Sequence, residues 1–121
     1  MKRDLDLIRK ILLAMEEQEY SFPEADLTVD GYTEEQVGFH VFLLGDAGLA
    51  KVADSTHIGS KSPSAFPLHL TWAGYEFLAA AKDDTVWAKA KTVVIKPAGG
   101  VAFSVLLEWL KAEAKTRLGL P

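Results

Sequence analysis

The sequence predicts an α+β fold that is mostly α, in which helices frame one β-hairpin. Three observations carry this prediction: helical spacing of apolar residues near the start, a helix-start signature at Thr33, and two strand-like segments joined by a tip rich in Gly, Ser and Pro. With 49% hydrophobic residues, the chain can bury a core without disulfide or metal bridges. We therefore expect a single domain over residues 1–121, with a core of about 1–82 and a helical extension of about 83–121.

The first predicted element is a helix over Arg3–Gln18. Its apolar residues recur at helical spacing and form one broad stripe for burial: Leu5, Leu7, Ile8, Ile11, Leu12 and Met15. The following stretch, Glu19–Gly31, is polar and contains Pro23. It predicts a loop in which Leu27–Val29 forms a short edge strand.

The second predicted helix is Thr33–Ala47. Gln36, three residues after Thr33, completes a capping box, and Gly48 can take the left-handed conformation that closes a helix. Helical angles place one set of residues on the core side: Val37, Val41, Leu44 and Gly48. The opposite, outward side carries a different set: Glu35, Phe39, Phe42 and Asp46.

A hairpin and a third helix are expected next. The strands Lys51–Ile58 and Phe66–Leu70 are joined by a seven-residue tip, Gly59–Ala65, which is too long for a tight turn. Thr71 is then the expected N-cap of a helix that ends at Lys82.

The remaining sequence predicts two more helices, Thr85–Ile95 and Val101–Leu118. The Asp83-Asp84 pair ends the preceding helix and caps the next one, because Asp accepts the unpaired N–H groups of a helix start. Pro97–Gly100 separates the two helices as a turn, and Gly119 closes the last one.

Several stretches of the chain resemble known protein families. The segments His40–Leu49 and Leu70–Leu78 resemble the recognition helix and the exit from the wing in ArsR-like and MarR-like winged-helix regulators. They imply a winged helix with the hairpin as its wing and a DNA-binding helix-turn-helix. Nearly the whole chain is similar to a family of small bacterial and phage proteins known only as a domain of unknown function (2513), on four stretches: Met1–Leu13, Gly31–Val37, Asp83–Trp87 and Leu118–Leu120. That similarity implies a bacterial or phage origin and the winged-helix shape, and no known activity.

Nucleic-acid binding is the first functional hypothesis, as in a small transcription regulator. Its DNA-contact candidates lie at the start of the second helix and in the wing: Thr33, Gln36, Lys51 and Lys61. Two features weigh against it. Residues 19–32 leave no room for the usual helix before the recognition helix, and the recognition helix itself carries no Lys or Arg. A polyanion should prefer residues 51–121, which hold nine basic and six acidic groups, over residues 1–50, which hold four and eleven.

The alternative hypothesis is a protein–protein interaction module without DNA binding. Its interface candidates are the outward residues of the second helix: Glu35, Phe39, Phe42 and Asp46. In a third version, the C-terminal helices of the chain itself cover the two phenylalanines. A homodimer is a further expectation, since winged-helix regulators often dimerise through terminal helices, and its candidates are Trp87, Phe103, Leu107 and Trp109.

Catalytic, metal-binding and cofactor-binding sites are not expected, and we predict that the protein is not an enzyme. The chain has no Cys, and none of its three His residues has a second ligand at three- or four-residue spacing. No segment is apolar enough for a signal peptide or a membrane span. These features predict a cytoplasmic protein without a membrane partner.

Overall fold

The computed structural model describes residues 1–20, 27–96 and 101–120. Within these ranges the elements follow in this order: α1 Leu5–Glu16, α2 Glu34–Asp46, β1 Ala50–Asp54, β2 Ala65–Leu70, α3 Trp72–Ala81, α4 Asp84–Ala90 and α5 Phe103–Arg117. A π-helical segment, Lys91–Ile95, continues directly from α4. The predicted α+β fold, mostly α with one hairpin and additional C-terminal helices, is confirmed, and its element order is consistent with a winged-helix layout.

The chain divides into two compact units, Met1–Glu76 and Phe77–Pro121, and the division falls within α3. We call them unit 1 and unit 2. Unit 1 contains α1, α2 and the hairpin, whereas unit 2 contains α4 and α5. No helix within the described ranges is both long and apolar enough to cross a lipid bilayer.

Helix α1 begins at Leu5 because Asp4 caps it. One carboxylate oxygen of Asp4 accepts the backbone N–H of Asp6 at 2.9 Å and that of Leu7 at 3.1 Å. These bonds satisfy two of the donors that a first helical turn leaves without partners. The predicted apolar stripe is confirmed, since all six of its residues are buried.

Helix α2 begins after Thr33, where the predicted capping box is confirmed. Thr33 Oγ1 accepts the N–H of Gln36 at 3.1 Å, and Gln36 Oε1 accepts the N–H of Thr33 at 2.8 Å. The helix ends at Asp46, and Gly48 follows in the predicted left-handed conformation with a φ of 73°. Gly48 was predicted to lie on the core side, but it is exposed beyond the end of the helix. The buried residues of α2 are Val37, His40, Val41 and Leu44.

The hairpin packs against α2 at two glycines. A Cβ at Gly38 would collide with Ser64 Oγ, and a Cβ at Gly45 would lie 2.5 Å from Val52 Cγ2. The two glycines are seven residues apart, which is about two helical turns, so they share one side of α2. The absence of side chains at these positions lets the hairpin approach the helix closely.

Strands β1 and β2 form an antiparallel ladder. It runs from Ala50 opposite Leu70 to Asp54 opposite Ala65, and a bulge interrupts it after Lys51. A bulge adds local twist and turns the following residues of the strand. The two strands are therefore paired on both sides of the bulge, with Lys51 opposite His69 before it and Val52 opposite Pro67 after it.

Two sequence predictions about strands are corrected by the structure. Leu27–Val29 is not a strand, so the prediction of an edge strand there was wrong. Strand β1 ends at Asp54 and does not reach Ile58, because the Asp54 carboxylate accepts the N–H of Thr56 at 2.8 Å and turns the chain. Of the predicted loop Glu19–Gly31, residues 21–26 lie outside the described ranges.

Helix α3 is capped by Thr71, as predicted. Thr71 Oγ1 accepts the N–H of Gly74 at 3.1 Å and donates to the carbonyl oxygen of Gly48 at 2.6 Å. A Cβ at Gly74 would collide with the carbonyl oxygen of Leu49. The start of α3 is therefore held against the turn that follows α2.

Helix α4 begins at Asp84 because Asp83 caps it: the Asp83 carboxylate accepts the N–H of Val86 at 2.9 Å. This confirms the predicted capping role. The predicted helix Thr85–Ile95 is α4 followed by the π-helical segment, in which the N–H of Lys96 bonds the carbonyl of Lys91 at 3.0 Å.

Helix α5 is shorter than the predicted Val101–Leu118, and Gly119 follows it with a φ of 72°, as expected for a closing glycine. The turn predicted at Pro97–Gly100 lies outside the described residues. Apolar side chains buried in this unit are Phe77, Leu78, Ala81, Val86, Trp87, Ala90, Leu106 and Leu110.

Candidate functional site

The outward side of α2 combines two carboxylates with two phenyl rings. Glu35, Phe39, Phe42 and Asp46 follow each other at steps of four, three and four residues, so they share one side of the helix. Glu35 and Asp46 are exposed and the two rings are half-buried. The rings of Phe39 and Phe42 are nearly parallel, with centroids 6.3 Å apart and 19° between their planes. We call these four residues the acidic–aromatic face; the structure brings together the side chains that the sequence predicted.

The wing loop meets the acidic start of α2. Glu34 and Glu35 line one cleft of about 330 Å³ together with His57, Ser60 and Lys61. We call it the wing cleft. The hydroxyl of Ser60 accepts the N–H of His57 at 3.1 Å and lies 2.7 Å from His57 Nδ1, which holds the turn of the loop. Lys61, a predicted DNA contact, therefore shares its cleft with two carboxylates.

A second cleft of about 320 Å³ opens at the other end of the acidic–aromatic face. Its lining includes Phe42 and Asp46 from α2, Lys51, Val52 and Asp54 from β1, and Thr71. We call it the Phe42 cleft. The N–H of Thr56 bonds the Asp54 carboxylate and keeps the pKa of Asp54 below its ordinary value. Lys51, another predicted DNA contact, thus shares its cleft with two carboxylates.

The remaining DNA-contact candidates, Thr33 and Gln36, are already engaged. Each side chain accepts a backbone hydrogen bond of the capping box that starts α2. Binding of their oxygen atoms to a nucleic acid would compete with these bonds, whose loss costs about 1 kcal/mol of helix stability. DNA contact by these two residues stays a prediction.

The two units differ in the balance of their charged side chains. Unit 1 has six basic and thirteen acidic side chains, a difference of −7, whereas unit 2 has seven basic and four acidic ones, a difference of +3. In unit 2, Lys89 pairs with Glu113 at 2.8 Å, and longer ion pairs engage Lys111 and Arg117. The unit that carries the recognition-type helix and the wing is therefore the acidic one.

A hydrogen-bond cluster beneath α2 fixes its orientation. His40 is 1% exposed; its Nε2 accepts the N–H of Asp4 at 2.9 Å, and its Nδ1 donates to the carbonyl oxygen of Gln36 at 2.7 Å. Both ring nitrogens are used, so His40 has a structural role, which agrees with the sequence interpretation that it packs or bonds at the core edge. Its partner Asp4 is 36 residues away, and no local signal could have identified the pair.

Asp4 also contacts Tyr32, whose hydroxyl donates to its second carboxylate oxygen at 3.2 Å. Burial raises the pKa of Tyr32, and the neighbouring carboxylate of Asp4 adds to the effect. Lys10 lies over the Tyr32 ring, 5.4 Å from its centroid, and forms an ion pair with Asp6 at 3.2 Å. The bond to Asp6 raises the pKa of Lys10. This cluster ties the loop before α2 to the first turn of α1.

The dimer candidates occupy different environments in unit 2. Trp87 is 2% exposed, with its ring edge-on to Phe77 at 6.3 Å, so it is a core residue and not part of an accessible interface. Trp87 lies on the buried side of α4 together with Val86 and Ala90. Phe103, Leu107 and Trp109 are half-buried, and self-association through them stays a prediction.

Metal ligation has no support among the residues that the structure describes. No group of three or more His, Asp or Glu side chains in residues 1–20, 27–96 and 101–120 is arranged to hold an ion. The carboxylates of the two clefts share their linings with one lysine each, and carboxylates in general accept hydrogen bonds from cationic groups.

Comparison with known proteins gives a family and no activity. The family described as "Hypothetical protein (DUF2513)" matches residues 2–101. An uncharacterized protein of Haemophilus influenzae is 41% identical over 97 residues, which cover 78% of this chain and 79% of that protein. No solved structure matches the chain significantly.

Proposed function

We propose that this chain, which belongs to the DUF2513 family, is a non-enzymatic protein-binding module that uses the acidic–aromatic face of α2. One observation carries the proposal: Lys51 and Lys61, the only basic candidates on the recognition surface, each lie in a cleft with two carboxylates. Such a surface attracts a cationic protein segment and repels the phosphates of DNA. The absence of cysteine suits a cytoplasmic setting, which we propose for this interaction.

The dimensions of the face describe its partner. Glu35 and Asp46 are eleven residues apart, which corresponds to roughly 16 Å along the helix axis. The rings of Phe39 and Phe42 lie between them and offer the aromatic surface that dominates many protein interfaces. The partner segment should therefore place an apolar side chain between two basic residues separated by a similar distance.

Selection from a random-peptide display library against the immobilised full chain tests the proposal. We expect enriched peptides that carry an apolar residue between basic residues. Asp46→Lys should weaken their binding by about tenfold or more, since a like charge at the interface costs several kcal/mol. Asp30→Lys is the matched control, because Asp30 is exposed and outside the face. Failure to enrich any peptide, or equal losses in both variants, would contradict the proposal.

A nucleic-acid-binding role is the second candidate, and the excess of basic groups in unit 2 favours it. In that case the contacts would come from the basic residues of unit 2: Lys82, Lys89, Lys91, Lys96, Lys111, Lys115 and Arg117. Lys89 has a carboxylate partner at 2.8 Å, which reduces the charge that it offers to phosphate. We therefore place this role after protein binding.

A further inference from the structure

We infer that the Phe42 cleft binds an arginine side chain of the protein partner, an inference that rests on the proposed function. The cleft lies where α2 ends and β1 begins, and its lining includes Gly45 and Gly48. Its volume is about 320 Å³. An elongated side chain can therefore enter alongside the Phe42 ring.

The spacing of Phe42 and Asp46 suits a guanidinium group. The two residues are one helical turn apart, so their side chains are neighbours on the same side of α2. A guanidinium plane can lie on an aromatic ring and still point its N–H edge at a carboxylate next to the ring. A lysine ammonium cannot make both contacts with the same geometry, because it is a compact point charge.

Charge complementarity selects a single cation for this cleft. Asp46 and Asp54 contribute two negative charges and Lys51 one positive charge, so one bound guanidinium would neutralise the lining. The hydrogen bond from Thr56 lowers the pKa of the Asp54 carboxylate and so favours its charged form. Asp46 is exposed, and its carboxylate forms no hydrogen bond or ion pair with any described residue, so it remains available to accept a bidentate bond.

The wing cleft, at the other end of the face, has a different lining from the Phe42 cleft. Its two carboxylates, Glu34 and Glu35, lie in the first turn of α2, where they already interact with the positive end of the helix dipole. The lining of that cleft includes the imidazole of His57, which is bonded to Ser60, and no Phe, Tyr or Trp of the described residues. A cation there would meet carboxylates without a phenyl ring, so the preference for arginine over lysine should be confined to the Phe42 cleft.

Chemical-shift titration of the ¹⁵N-labelled full chain tests the inference. The probes are blocked pentapeptides, Gly-Gly-X-Gly-Gly, in which X is arginine, lysine or the neutral isostere citrulline. The arginine peptide should shift the amide signals of Gly45, Gly48 and Val52, and bind about threefold or more tightly than the lysine peptide. The citrulline peptide should cause no shift.

Two variants and one control assign the contacts. Asp46→Asn should weaken the arginine peptide by about tenfold through loss of the charge-assisted bond, and Phe42→Leu should reduce the preference for arginine over lysine while keeping an apolar side chain. Asp30→Asn, which removes an exposed carboxylate outside the face, should leave both unchanged. Equal binding of arginine and lysine, or shifts that Asp46→Asn does not alter, would overturn the inference.

The peptide selection and the titration together distinguish failure of the arginine site from failure of the proposed function. Display-selected peptides that bind the acidic–aromatic face without an arginine at the Phe42 cleft would leave the proposed function intact and refute the arginine site. If neither the selected peptides nor the arginine probe binds, both are refuted.

Discussion

Replacing Gly45 by alanine tests how closely α2 packs on the hairpin that lines the Phe42 cleft. The new Cβ would lie 2.5 Å from Val52 Cγ2, well inside van der Waals contact. Two effects oppose each other. Alanine stabilises a helix interior by roughly 1 kcal/mol relative to glycine, whereas overpacking costs roughly 1–3 kcal/mol. Val52 is β-branched and half-buried in a strand, so its side chain cannot turn away freely. The cost should therefore lie in the upper part of that range, roughly 2–3 kcal/mol, and we expect a net loss of about 1–2 kcal/mol in the free energy of unfolding.

Urea denaturation followed by circular dichroism measures this loss, and a double-mutant cycle assigns its cause. In the Gly45→Ala/Val52→Ala chain the two side chains no longer collide, so the cycle should show a favourable coupling of about 1 kcal/mol. Val52→Ala in the otherwise unchanged chain supplies the matched single variant. A Gly45→Ala chain as stable as the original, or a coupling near zero, would refute the close packing of helix and hairpin.

Two further predictions concern the cluster around Asp4. Asp4→Ala should lower the free energy of unfolding by about 2 kcal/mol, because it removes an N-cap and the acceptor of the Tyr32 hydroxyl, each worth about 1 kcal/mol. Asp4→Asn, which can still cap α1, should lose less, and urea melts with equal losses for both variants would argue against the cap. Burial raises the pKa of Tyr32, so its contribution is present below a pH of about 10 and is lost as the pH rises through the raised pKa. Unfolding measured between neutral and alkaline pH should therefore show a steeper loss of stability in the original chain than in Tyr32→Phe, and identical slopes would contradict this.

Local signals allowed much of the fold to be predicted. The capping box at Thr33 and the caps at Thr71 and Asp83 each depend on residues within three positions, so the sequence displays them directly. The left-handed glycines after α2 and α5 were predictable for the same reason. The end of strand β1 was missed although it depends on a bond between residues only two positions apart, because Asp54 lies within an otherwise β-like segment.

The candidate site was predictable only in part. Helical angles identified the acidic–aromatic face, since its residues all lie on one helix. The two clefts depend on where the hairpin packs, and this placement follows from the contacts of Gly38 and Gly45 with residues on other elements. Trp87 was assigned to a surface because aromatic residues at helical spacing do not indicate which side faces inward. The bond between Asp4 and His40 joins two helices and has no sequence signature.

Binding of random-sequence duplex DNA, measured by fluorescence anisotropy at low salt, tests whether the surface of α2 and the wing is unfit for phosphate. We expect that substituting both Lys51 and Lys61 by glutamine changes nothing, because each lysine shares its cleft with two carboxylates that repel phosphate. This expectation would be contradicted by saturable binding that weakens about a thousandfold between roughly 50 and 200 mM salt and disappears in the double variant.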